Sequence, residues 1–125
     1  MAYVRYNPNP AGRNVGDCVI RAVSKIIGSD WEQAFINMAA EGLQLYDMPS
    51  SNGVLGSFLR SLGYRKNLIP DLCPECYTIK DFCRDHPRGT FLVATGDHVV
   101  AIVDGNYYDS SDTGSEIITY YYERR

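Results

Sequence analysis

The sequence predicts an α+β fold, and three observations carry the prediction. Apolar residues recur at helical spacing through the first half of the chain. β-branched and aromatic runs dominate the last third. Between two of those runs lies Asp104-Gly105, a strong two-residue hairpin signal. Helices first and strands afterwards give segregated elements, with the helices packed on a small, mostly antiparallel sheet. A length of 125 residues fits one domain, residues 1–125. Within it, 1–16 reads as an extended lead-in, 17–63 as a helical half and 64–125 as mainly sheet.

The elements follow in order. Asp17 is a plausible N-cap for a helix carrying Val19, Ile20, Val23, Ile26 and Ile27, and Gly28 closes it. Ser29 followed by Glu32 has the capping-box pattern. It predicts a second helix with Ala34, Phe35, Met38 and Ala39 on one face, ending at Gly42. A third helix is expected from about Ser51, with Leu55, Phe58, Leu59 and Leu62 inward and Gly63 at its end. Thr78 and Asp81 are a weaker cap for a short helix bearing Ile79, Phe82 and Cys83, stopped by Pro87 and Gly89. Strands are expected over 90–95, 98–104, 106–109 and 116–122. In the last, Tyr120-Tyr121-Tyr122 puts aromatic rings on both faces. Arg124-Arg125 reads as a solvated tail.

Composition narrows the function classes. Fifteen acidic and twelve basic residues give a net charge of −3, which argues against a nucleic-acid partner bound through bulk positive charge. No apolar run approaches the roughly 18 residues of a membrane span, so no membrane partner is expected. The first fourteen residues are polar and rich in Pro and Asn, without a charged-then-apolar signal pattern. A cytoplasmic location is therefore expected.

The four cysteines are Cys18, Cys73, Cys76 and Cys83, and the two histidines are His86 and His98. Any mechanism that needs an imidazole must use one of those two. Cys73-Pro74-Glu75-Cys76 with Cys83 and His86 has the residue types of a Cys₃His zinc set, or of a redox or disulfide pair at Cys73 and Cys76. Plain structural roles explain these residues more simply, so neither metal nor other cofactor is expected.

Cys18 stands one residue past Asp17, at the start of a helix. The free N–H groups and the positive dipole end there stabilise a thiolate, which is how a cysteine nucleophile is activated. His98 opens a strand. A hairpin turning at Asp104-Gly105 pairs Val100 with Asp109. Asp109 then shares the His98 face one diagonal step away, roughly 7–8 Å between backbones. Asp109 is therefore the expected orienting carboxylate for the imidazole, with Asp112 in reserve.

Three segments carry a resemblance: Gly16-Asp17-Cys18-Val19-Ile20-Arg21-Ala22, then Gly96-Asp97-His98-Val99-Val100-Ala101-Ile102, then Tyr108-Asp109-Ser110. Together they resemble the papain-like cysteine peptidase superfamily. More narrowly, the chain is similar to small papain-like proteins encoded by gut Firmicutes and their phages, which share a Gly-Asp-Cys-x-x-Arg-Ala start, a Cys-Pro-x-Cys-Tyr segment and a Tyr-Asp-x-x-Asp finish. The resemblance implies a papain-like fold and a Cys18-His98-Asp109 triad. It also implies hydrolysis of peptide or isopeptide bonds in a peptide or protein substrate through an acyl-enzyme. Papain-like enzymes place an oxyanion-supporting Gln six residues before the cysteine, where this chain has Gly12. The second oxyanion donor must then come from elsewhere, with Asn14 and Asn9 as candidates beside the Cys18 N–H. Two other readings fit the same residues: an amidase or transferase acting on cell-wall or conjugate amides, and a non-catalytic binding module.

Overall fold

The computed structural model describes residues 2–70 and 72–124; Met1, Asp71 and Arg125 lie outside the described residues. Its elements are β1 (Tyr3–Arg5), α1 (Cys18–Ile27), α2 (Trp31–Leu45), α3 (Asn52–Ser61), β2 (Tyr64–Leu68), α4 (Ile79–Asp85), β3 (Thr90–Ala94), β4 (Val99–Val103), β5 (Asn106–Asp109) and β6 (Tyr120–Arg124). The class is α+β. The six strands form one sheet in the order β1-β5-β4-β3-β6-β2. The β1–β5 pair is parallel and the others are antiparallel. No helix among the described residues is long and apolar enough to cross a membrane.

Two apolar cores flank the sheet. On one side Val19 and Val23 of α1, Met38 of α2 and Leu55 and Leu59 of α3 pack on Leu92, Ala94, Val99, Ala101 and Tyr122. On the other, Ile79 and Phe82 of α4 pack on Phe91, Val93, Val100, Ile102 and Tyr107. The central strands β3 and β4 alternate between these cores, so both faces are covered. That is why they read as unbroken apolar runs. Each large side chain fully buried this way contributes about 1.5–3 kcal/mol. The tyrosine run splits as its alternation requires, with Tyr120 and Tyr122 on the side of the first core and Tyr121 on the other.

The hairpin forms at Asp104-Gly105. Both residues have positive φ, 51° and 76°, the backbone of a type I′ turn. The resulting register pairs Val103 with Asn106 and Ala101 with Tyr108. Helix α1 starts after Asp17 and ends on Gly28 in the left-handed conformation. Ser51 caps α3, and Thr78 and Asp81 form a full capping box on α4.

Several boundaries differ from expectation. The cap of α2 is Asp30, whose Oδ1 accepts the Gln33 N–H at 2.8 Å. The Ser29 hydroxyl donates to the Asp30 carbonyl instead. α2 also runs through Gly42 to Leu45, because Gly42 is where the chain folds back on the helix. A β-carbon there would lie 2.6 Å from the Asp47 carbonyl oxygen. Phe35 turns outward and is 44% exposed, while Ala34 and Met38 are buried. Strand β1 lies in the expected lead-in, and β2, a polar Tyr-Arg-Lys-Asn-Leu edge, had no sequence signal. β6 starts at Tyr120, not Glu116. Arg124 belongs to it rather than to a tail, and Arg125 lies outside the described residues.

Candidate active site

Two connections bring Cys18 and His98 together. Helix α1 packs across β4, with Val19 and Val23 sharing a core with Val99 and Ala101. Its first residue thereby meets the end of β4 where His98 precedes the strand. A tight link holds that end, since the Thr95 N–H donates to the His98 carbonyl at 2.8 Å. Cys18 and His98 line the same cleft, close enough that each side chain shifts the pKa of the other. On its other side the imidazole bonds through Nε2 to Asp109 Oδ2 at 2.7 Å. An ionised carboxylate only accepts, so Nε2 carries a proton, and Nδ1 is the nitrogen left to face sulfur.

Asp109 is fully buried and completely engaged. Its Oδ2 also accepts from the Thr113 hydroxyl at 2.7 Å. Its Oδ1 accepts from the Ser110 N–H at 2.7 Å and pairs with Arg21 Nη2 at 3.1 Å. Its carbonyl accepts from the Tyr6 N–H and the Tyr3 hydroxyl, so β1 pins the backbone of Asp109. Asp112 lies elsewhere. It is exposed and bonds the Tyr107 hydroxyl and the Gly114 N–H.

Behind this runs a buried line of charge. Arg21 Nη1 holds Asp17 Oδ1 at 2.8 Å, and Asp17 Oδ2 accepts from Trp31 Nε1 at 2.8 Å. Asp17 thus occupies the N-cap position of α1 without capping it; its carboxylate is spent on Arg21 and Trp31. From Asp17 through Arg21, Asp109 and His98 to Cys18, negative and positive groups alternate.

The electrostatics follow from these contacts. Burial alone would raise the Cys18 thiol pKa. The His98 bond, the Val99 backbone N–H and the positive charges of His98 and Arg21 together bring it below the ordinary thiol value. The bond to Asp109, then the bond to Cys18, push His98 up to about 10 against the opposing effect of burial. Burial works to raise Asp109, but its bonds from His98, Thr113 and Ser110 hold it below the usual carboxylate range. The three groups thus favour a thiolate beside an imidazolium beside a carboxylate.

Cys18 and His98 open on a cleft of about 250 Å³. Its wall includes Ser50, Asn52, Thr95, Asp97 and Thr119. Neither Asn14 nor Asn9 lines it. Asn14 is exposed, and Asn9 Oδ1 closes its own loop by accepting the Ala11 and Arg13 N–H groups. Asn52, at the start of α3, is the asparagine that does line it. No sequence signal pointed to Asn52. Arg21 was legible in retrospect, as a base four residues after Asp17 on an otherwise apolar helix.

The remaining cysteines stand apart from the cleft. Cys73 and Cys76 form a disulfide. Cys83 is buried in the second core, where burial pushes its thiol up to about 11. His86 stacks on Phe82 at 3.9 Å, with Nδ1 at its carbonyl. The Cys₃His set is thus not assembled, and among the described residues no group of three or more His, Cys, Asp or Glu side chains could hold a metal.

Comparison with protein-family models, with curated proteins and with solved structures gives no match to this chain.

Proposed function

We propose that this chain is a papain-like cysteine peptidase that cleaves peptide or isopeptide bonds through a Cys18-His98-Asp109 triad. One observation carries the reading: His98 is bonded to Asp109 through Nε2 and shares a cleft with Cys18, with the thiol pKa lowered and the imidazole pKa raised. A buried cysteine with no catalytic task would show the opposite shift, as Cys83 does.

The mechanism is acyl transfer. The Cys18 thiolate attacks the amide carbonyl carbon and forms a carbon–sulfur bond. The oxyanion that develops is met by the Cys18 backbone N–H, free because it opens a helix, and by the Asn52 amide across the cleft. As the carbon–nitrogen bond breaks, the His98 imidazolium gives its Nδ1 proton to the leaving amine. Neutral His98 then takes a proton from water, and the hydroxide attacks the thioester. The acid product departs, the carbon–sulfur bond breaks, and the thiolate–imidazolium pair is restored. Asp109 stays ionised throughout and keeps the proton on Nε2.

Alkylation tests the nucleophile. Iodoacetamide at pH 6 should label Cys18 well ahead of Cys83, located by mass spectrometry. Equal or slower labelling of Cys18 removes the basis for catalysis. Release of product from acyl-amide substrates, abolished in Cys18→Ala, separates an enzyme from a binding module on the same fold.

A further inference from the structure

We propose that the outer face of α2 docks a helix of another protein, one whose apolar seam is flanked by Lys and Arg. Helix α2 is apolar on two sides. Its inner row, Ala34, Met38 and Gly42, is buried. A second row, Ile36, Ala39, Ala40 and Leu43, recurs at i, i+3, i+4 and i+7 on the far side. There Ile36 is 58% exposed and Leu43 74%. Apolar rows on both sides are the pattern of a helix covered on both sides, yet the fold covers only one. Among the described residues nine large apolar side chains are left exposed, and six of them lie between Phe35 and Met48. Such a concentration marks an interaction surface, where single scattered side chains would not. No residue of α2 lines the Cys18 cleft, so the surface stands apart from the triad and does not depend on the peptidase reading.

Charge selects the occupant. Between Lys25 and Arg60 there is no Lys, Arg or His, while Asp30, Glu32, Glu41 and Asp47 are acidic. That segment carries a formal charge of −4 in a chain whose total is −3. None of the four acids has an ion-pair partner among the described residues. Glu32 stands one turn before Ile36, and Asp47 follows the helix; both are exposed. The apolar row is thus bracketed by unanswered negative charge, which a helix with flanking Lys and Arg would answer. A second copy fits worse. An antiparallel pair that matches Ile36 with Leu43 sets Glu32 of one copy against Asp47 of the other at both ends, with no base in the segment to relieve them. The small Ala39 and Ala40 leave room between Ile36 and Leu43 for large side chains of the incoming helix.

The test uses the full chain and two fluorescently labelled amphipathic helical peptides. One has Leu at every a and d position and Lys elsewhere; the other has Glu in place of Lys. Fluorescence anisotropy should show binding of the Lys peptide alone, weakening as salt is raised. Leu43→Ala and Ile36→Ala, both at exposed positions and checked by circular dichroism, should each raise its Kd by about tenfold or more. Glu32→Gln should raise it less. Leu68→Ala, at an exposed apolar position on β2, should leave it unchanged. No binding of the Lys peptide, equal binding of the Glu peptide, or a Kd indifferent to Leu43→Ala overturns the proposal. Two further results would reassign the face and so overturn it as well. One is a dimer of the chain alone, seen by sedimentation, that Leu43→Ala turns into monomer. The other is co-sedimentation with phosphatidylcholine vesicles that Leu43→Ala abolishes.

Discussion

Arg21 joins two carboxylates from distant parts of the chain: Nη2 lies 3.1 Å from Asp109 Oδ1 while Nη1 holds Asp17 Oδ1 at 2.8 Å. Its side chain is 5% exposed. A buried guanidinium with two carboxylate partners fixes the Asp109 plane, and through it the His98 ring. Arg21→Met leaves both carboxylates buried without their cation. Breaking a buried pair in this way costs about 3–5 kcal/mol, well above what a similar apolar volume returns. The expected result is a large fall in the urea midpoint together with reduced turnover. Arg21→Lys keeps the charge but cannot span both partners. It should recover part of the stability and less of the activity. Unchanged melting of Arg21→Met would show that the bridge contributes nothing.

The pH profile of kcat/KM follows from the two shifted groups. The active form needs Cys18 ionised and His98 protonated. Ionisation is complete above the lowered Cys18 pKa. Protonation persists until pH rises through the raised His98 pKa of about 10. Activity should therefore rise through the lowered Cys18 pKa, hold above it, and fall near pH 10. A free imidazole, with a pKa near 6.5, would put that fall about three and a half units lower. An alkaline limb near pH 7 would show that His98 is not held as an imidazolium.

The placement of Cys18, His98 and Asp109 could be read from sequence because each sits on a strong local signal. Gly16-Asp17 marks the helix start at Cys18. Asp104-Gly105 fixes a hairpin register that leaves Asp109 and His98 on one face, and the structure keeps that register. What escaped is long-range or edge structure. β1 is three residues long and gains its place only by parallel pairing with β5. β2 is a polar edge strand, and edges need no alternating apolar pattern. The oxyanion candidate Asn52 reaches the cleft through the packing of α3, and its neighbours in sequence say nothing about Cys18. Asp17 illustrates a different limit. Its N-cap position is obvious from sequence, but whether its carboxylate caps the helix or binds Arg21 and Trp31 is decided by tertiary contacts.

Gly42 gives a prediction about the helical half alone. Replacing glycine by alanine inside a helix ordinarily stabilises by up to about 1 kcal/mol. Here the new β-carbon would meet the Asp47 carbonyl oxygen at 2.6 Å. That atom is backbone and is held there because the Asp47 N–H donates to the Gly42 carbonyl at 2.9 Å. Overpacking of about 1–3 kcal/mol should win, so Gly42→Ala should lower the urea midpoint. A rise would mean that the return after α2 yields freely.

Asn52 and Asn14 separate two origins for the second oxyanion donor. Asn52 lines the cleft and Asn14 is exposed away from it. Loss of one oxyanion donor costs about 10²–10³ in kcat. Asn52→Ala should show a loss of that order with KM little changed, because the donor acts on charge that develops only in the transition state. Asn14→Ala should retain full kcat. The reverse pattern in steady-state kinetics would move the oxyanion hole to the loop before α1.

Asp109 and Asp112 can be told apart by the same alkaline limb. Asp109→Asn keeps the shape of the side chain and removes the negative charge at His98 Nε2. The largest cause of the raised imidazole pKa is thereby weakened, so the limb should shift from near 10 toward the ordinary histidine value. Activity at pH 8 should drop by about tenfold or more, since each unit that the pKa falls below the working pH removes tenfold of the imidazolium. Asp112 bonds Tyr107 and Gly114 rather than the imidazole. Asp112→Asn should therefore leave the limb near 10. If instead the Asp112 variant moves the limb and the Asp109 variant does not, the carboxylate that orients His98 during turnover is Asp112, and the hairpin end must rearrange when substrate binds.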